Sequence, residues 1–334
     1  MARAETVVGG GAVVVSADDG LHVHERRDGG VRWRHPGAPG HGYRPVIAGD
    51  VLVVPGGSAV AALELSTGVP RWELPATPHC EPLFAHGLVH IVGPGKRNLY
   101  AVGADTGEVL WRTTAEGVRP VPTAPGVVFA QGRTLRERQH TGDWRWQYGD
   151  LPAPVSGLTA AGDLVLVRMA DQLLALDVHT GRARWQHGGL PYRVVPSASA
   201  DVVVLPVEGE LLGLDPADGA VRWRWAGTGT PHATAGGVFV VEPSGLTALD
   251  GDGRVQWRIP GNAMWPDLRV TPDLVYVIDA GALHAHPRHD GVKGWSATDI
   301  VALRAPVVAD GVVYLENGYT LFAINADDGE RLPT

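Results

Sequence analysis

The chain has 334 residues, 44% of them hydrophobic and 19% charged, with 45 glycines and 26 prolines, which is an ordered, turn-rich composition and not a disordered one. The formal net charge of −8 argues against a duplex nucleic-acid binder. A single cysteine, Cys80, excludes an intrachain disulfide and a thiolate metal cluster, and no apolar run reaches the roughly 18 residues of a membrane-spanning helix.

The opening residues, MARAETVVGGGAVVV, lack the basic, apolar and cleavage regions of a signal peptide. The sequence therefore reads as a cytoplasmic protein or a soluble domain cut from a larger one. A repeat begins at once, its first copy running from Val7 to Trp33 and its second from Val46 to Trp72. In the second copy four strands joined by hairpins are legible between Tyr43 and Pro75: YRPVIAGD, VLVVPGG, AVAALELSTG and VPRWELP. Tryptophans continue the beat at Trp111, Trp146, Trp185, Trp223, Trp257 and Trp295, with steps of 39, 39, 35, 39, 38, 34 and 38 residues from Trp33 onward. Each stands four residues after a glycine, and that glycine follows Asp or Thr, as in Thr67-Gly68 and Asp218-Gly219. Glycine accepts the positive φ such turns need, and the Asp or Thr side chain bonds back to the backbone. No stretch carries helical apolar periodicity, so helices are not expected.

The last copy, Val307 to Pro333, keeps Asp328-Gly329 at its turn but has Pro333 in the tryptophan slot. Self-similarity at this period predicts a repeat architecture in which each unit buries itself against its neighbours. The expectation is a single all-β domain over residues 1–334, a closed β-propeller of four-stranded blades. Nine copies favour nine blades; eight, with one terminal copy displaced or shared, is the alternative. His24 stands where other copies have Leu, and marks the first copy as a closure seam.

The segments LYAVGADTGEVLW (Leu99 to Trp111), LLALDVHTGRARW (Leu173 to Trp185) and LLGLDPADGAVRW (Leu211 to Trp223) resemble the tryptophan-docking repeat of the quinoprotein-like (PQQ-like) β-propellers. The resemblance covers essentially the whole chain. It implies that the indole of one blade packs on the next, between a small residue and the turn. The eight tryptophans are then blade-to-blade clamps and not active-site residues. Quinone-dependent members hold PQQ with calcium and commonly a vicinal disulfide. One cysteine excludes that disulfide and no calcium-binding cluster is recognisable, so neither PQQ nor calcium is expected. Exported lipoprotein relatives carry a lipobox, which this sequence lacks.

In this architecture the innermost strand of each blade lines the axial channel. The segments leading into it carry Arg44, Arg119, Arg193, Arg269 and Arg304, with Tyr43, Tyr192 and Trp265 as aromatic walls. Guanidinium groups converging on a channel mouth suit a carboxylate or phosphate. Against this, each arginine has a bland role available in pairing with a local acid such as Glu81 or Asp267. His22 with His24, and His284 with His286, are i, i+2 pairs that share a strand face and form secondary metal candidates. His232 and His79 are secondary candidates for general acid or base. No phosphate loop surrounds Lys96, and Ser156 and Ser244 lie in no nucleophile elbow. The leading expectation is a non-catalytic module binding an anionic small molecule, an acidic peptide segment or a partner protein at the mouth. An enzyme using the same mouth and a protein–protein scaffold remain the alternatives.

Overall fold

The computed structural model describes residues 5–17, 19–27, 29–36, 43–93, 97–115, 118–191, 195–261, 268–279, 281–298, 300, 306–316 and 320–332. Among them there is no helix, and the strands form nine separate antiparallel sheets, each a meander in chain order. Eight sheets have four strands. The ninth has three, Val307–Ala309, Val312–Glu316 and Leu321–Asn325, and a trace of a fourth in the bridge between Ile324 and Arg331. The molecule is a nine-bladed β-propeller, which decides the count against eight.

The second copy folds as read from its sequence, into Val46–Ala48, Val51–Pro55, Val60–Glu64 and Pro70–Leu74. By chain contacts the molecule divides into two compact units, one of residues 1–113 with 265–334 (blades 1 to 3, 8 and 9) and one of residues 114–264 (blades 4 to 7).

Within the second unit, blade 5 shows why its strands read as continuous apolar runs. Along Leu164–Met169, Leu164 and Leu166 pack with Val203 and Leu205 of blade 6, whereas Val165 and Val167 pack with Val128 and Ala130 of blade 4. Successive side chains of a strand point to opposite faces, and here both faces are covered. The tryptophan belongs to the same scheme. A small residue lies opposite it across the third and fourth strands: Ala62 for Trp72, Ala175 for Trp185, Gly213 for Trp223, Ala248 for Trp257. A one-residue bulge follows at once in each of these blades. Bulges re-aim side chains, and the indoles of Trp72, Trp185 and Trp223 lean onto the turn glycines of the next blades, Gly107, Gly219 and Gly253. The indole N–H donates to a turn carbonyl: Trp72 to Ala104 at 2.7 Å and Trp295 to Ala326 at 3.0 Å in the first unit, Trp146 to Val178 at 3.0 Å and Trp185 to Pro216 at 2.8 Å in the second. The turn glycine is obligatory twice over. Gly219 has φ +74°, and a Cβ there would stand 2.7 Å from the Trp185 indole.

Blades 9 and 1 are neighbours inside the first unit, as the terminal copies were expected to be. Tyr314, Leu321 and Ala323 pack on Val13 and Val15. Arg26 of blade 1 forms an ion pair with Asp310 of blade 9, and the Tyr314 hydroxyl donates to the Arg26 carbonyl at 3.1 Å. Pro333 lies outside the described residues.

Candidate functional site

First strands of adjacent blades touch one another, in blades 1 with 2, 2 with 3 and 9 with 1 of the first unit, and in blades 4 to 7 of the second. They are therefore the inner strands, and the segments leading into them are where the sequence placed its arginines. In the first unit, Arg44 is exposed, and its Nε lies 3.9 Å from Glu81 Oε1. Beside it, the Tyr43 hydroxyl donates to the His79 carbonyl at 2.7 Å, while the His79 N–H donates to the Val92 carbonyl at 2.8 Å. These bonds tie the lead-in of blade 2 to that of blade 3 and bring Tyr43, Arg44, His79 and Glu81 together. Arg269, also exposed, opens the first strand of blade 8 opposite Tyr276. In the second unit Arg119 is exposed just before the first strand of blade 4. Arg193, Arg304, Tyr192 and Trp265, and the acid Asp267, lie outside the described residues.

His232 sits in the first strand of blade 7, opposite Phe239 and half-buried, and burial holds its pKa below the usual histidine value. The histidine pairs take local roles. His24 Nδ1 is 3.0 Å from the Gly29 carbonyl, and His286 Nδ1 makes the same contact with Gly291 at 3.0 Å, so both pin the turn before the outer strand. His22 Nε2 lies 3.1 Å from Asp19, and His284 Nδ1 lies 2.8 Å from the Ser296 hydroxyl. Among the described residues no group of three or more His, Cys, Asp or Glu gathers as a metal shell would. With Cys80 as the one thiol in the sequence, no vicinal disulfide can form.

A recurrent polar element escaped the sequence reading. The residue before the tryptophan is often arginine, and it staples two turns of its own blade. Arg32 reaches Glu25 at 2.6 Å and the Gly11 carbonyl at 2.7 Å. Arg71 reaches Asp50 at 2.6 Å. Arg222 reaches Asp215 at 2.7 Å and the Asp201 carbonyl at 2.9 Å, and Arg184 grips Asp177. Asp177 also accepts from the N–H groups of His179 and Thr180, at 3.0 and 2.9 Å. The Arg184 hydrogen bond is the main reason its pKa falls to about 2. The available signal was an acid seven residues before the arginine, as in Glu25 and Arg32, Asp177 and Arg184, Asp215 and Arg222.

Antiparallel blades clamped by docked indoles define the class: a tryptophan-docked, PQQ-like β-propeller. Residues 2–81, 82–235, 188–273 and 244–332 match the profile of the family of the outer membrane protein assembly factor BamB, and the chain belongs to that family. A BamB from Burkholderia pseudomallei (strain K96243) is 26% identical over 139 residues, a match spanning 38% of this chain and only 36% of that relative. BamB from Moraxella catarrhalis superposes with a TM-score of 0.59 at 15% identity, over 83% of this chain and 93% of that one. The quinohemoprotein alcohol dehydrogenase ADHIIG from Pseudomonas putida HK5 superposes with a TM-score of 0.55 at 14% identity, over 97% of this chain and 70% of that one. At these identities the structural likenesses show the fold alone.

Proposed function

We propose that the chain is a non-catalytic propeller module that binds a partner protein, and that the arginines leading into the inner strands engage an acidic segment of that partner. The observation that carries this reading is the exposure of Arg44 and Arg119, each two residues before the first strand of its blade, and of Arg269 as the first residue of another, in a chain of net charge −8. A guanidinium grips carboxylate with paired hydrogen bonds. The 3.9 Å ion pair of Arg44 with Glu81 is partly exposed, where such a pair adds little stability. Membership of a family named for an assembly factor supports a protein partner. PQQ and calcium have no part in this reading.

The test is fluorescence anisotropy of a labelled glutamate-rich peptide titrated with the purified chain at two ionic strengths. Binding that weakens with salt and is lost in an Arg44→Ala/Arg119→Ala/Arg269→Ala variant of unchanged melting temperature is the expected result. Equal binding by that variant, or none by the native chain, overturns the role of the arginines.

A further inference from the structure

At the opposite end of the strands from the lead-ins, blades 5 and 6 border an open cleft of about 530 Å³, within the several-hundred-Å³ range of small-molecule sites. Its polar lining is Asp163 and Arg184 from blade 5, with Asp201, Asp215 and Arg222 from blade 6. Its apolar lining is small: Ala161, Leu164, Ala200, Pro216 and Ala217. The inner wall closes where a Cβ at Gly162 would stand 3.3 Å from Ala200.

The staples fix these groups and leave part of their capacity over. Arg184 spends Nε and Nη2 on Asp177, which leaves the Nη1 hydrogens. Arg222 is held on three sides, by Asp215 through Nε and Nη2 and by the Asp201 carbonyl through Nη1. Asp201 Oδ2 accepts the Gly236 N–H at 3.1 Å, and Asp163 Oδ1 lies 3.3 Å from His179 Nε2. The second oxygen of each carboxylate remains for a ligand. Two guanidiniums and three carboxylates nearly cancel. The negative charge left over, increased by Asp177 beside Arg184, disfavours an anion, whereas a hydroxyl donates to Asp and accepts from Arg in one place.

We propose that this cleft binds a neutral, polyhydroxylated ligand of sugar size, its hydroxyls bridging the residual acceptors of Asp163 and Asp201 and the donors of Arg184, with its C–H face on the alanine and proline floor. Calorimetric titration of the native chain with maltose, and separately with glutamate and arginine, tests it. Asp163 is 69% exposed and Ala217 is exposed at a turn, so neither substitution below threatens folding, and thermal unfolding verifies this. Saturable maltose binding is expected, weakened about five-fold by Asp163→Asn, the worth of roughly one hydrogen bond, and abolished by Ala217→Trp, which lays an indole across the cleft. Should Ala217→Trp fail to fold, Asp163→Asn decides alone. No heat from maltose, equal binding by the variants, or binding of glutamate or arginine in its place overturns the proposal.

Discussion

Two blade interfaces solve one problem with different residues. Between blades 5 and 6, Trp185 from the outer strand leans on the turn at Gly219 and donates to the Pro216 carbonyl. Between blades 9 and 1, the matching acceptor is the Arg26 carbonyl, three residues before Gly29 as Pro216 is three before Gly219. There the donor is Tyr314, from the second strand of its blade. The acceptor is constant because a turn carbonyl facing a packed neighbour must be satisfied. The donor is free to come from whichever strand reaches it. The seam thereby dispenses with a tryptophan and adds a direct charge pair, Arg26 with Asp310, across the same two blades.

The largest expected effect breaks the tryptophan side of this comparison. Trp185 is 8% exposed, and Trp185→Ala is expected to destabilise by about 3–5 kcal/mol, the usual cost of emptying a large aromatic site, read from urea unfolding. Gly219→Ala attacks the same clamp from the turn, since the new Cβ meets the indole at a backbone φ that favours glycine. We expect a loss of about 1–3 kcal/mol, typical of combined strain and overpacking. The seam is subtler. Tyr314→Phe keeps the packing on Val13 and Val15 and removes only the hydroxyl, for an expected loss of about 1 kcal/mol. A Tyr314→Phe loss equal to that of Trp185→Ala means that the seam depends on that one bond and that the two interfaces are not equivalent solutions.

The clamp was legible because it repeats. Eight tryptophans, each four residues after a turn glycine, marked the blade type, and the ninth copy without tryptophan favoured nine blades while leaving eight open. What replaced the ninth indole was not legible, because Tyr314 lies on a different strand from the residue it stands in for. Blade 4 hides a similar departure. Glu137 takes the place opposite Trp146 that alanine or glycine holds in blades 2 and 5 to 8 and Val23 holds in blade 1, is fully buried, and accepts from the Thr123 hydroxyl at 2.6 Å with Arg145 at 3.4 Å. Burial pushes its pKa up. The sequence marks it only as an acid in a slot of small residues. Glu81 was legible as an acid that could pair with a lead-in arginine, but that Arg44 takes it was not, because the two lie in different copies.

The same slot as Tyr314, the third residue of the second strand, holds His90 in blade 3, Phe239 in blade 7 and Tyr276 in blade 8. Each ring lies beside its own blade's tryptophan, His90 at 5.6 Å from Trp111 and Phe239 at 5.8 Å from Trp257. Histidine is the exception because it titrates. His90 is 3% exposed and its Nδ1 has no hydrogen-bond partner. Burial first, and then the charge of His86, lower its pKa from 6.5 to about 4. Above pH 6.5 the imidazole is neutral in both the folded and unfolded chain, and its titration contributes nothing. Between 6.5 and about 4 the unfolded chain takes up a proton that the folded one refuses, so stability falls with pH across that window and levels off below it. His90→Phe, which installs the residue of blade 7, is therefore expected to change stability least at pH 7 and to flatten the decline between pH 6.5 and 4, read as denaturant midpoints across that range. An unchanged slope would place the acid sensitivity elsewhere, and the slot would then tolerate histidine as indifferently as it tolerates phenylalanine or tyrosine.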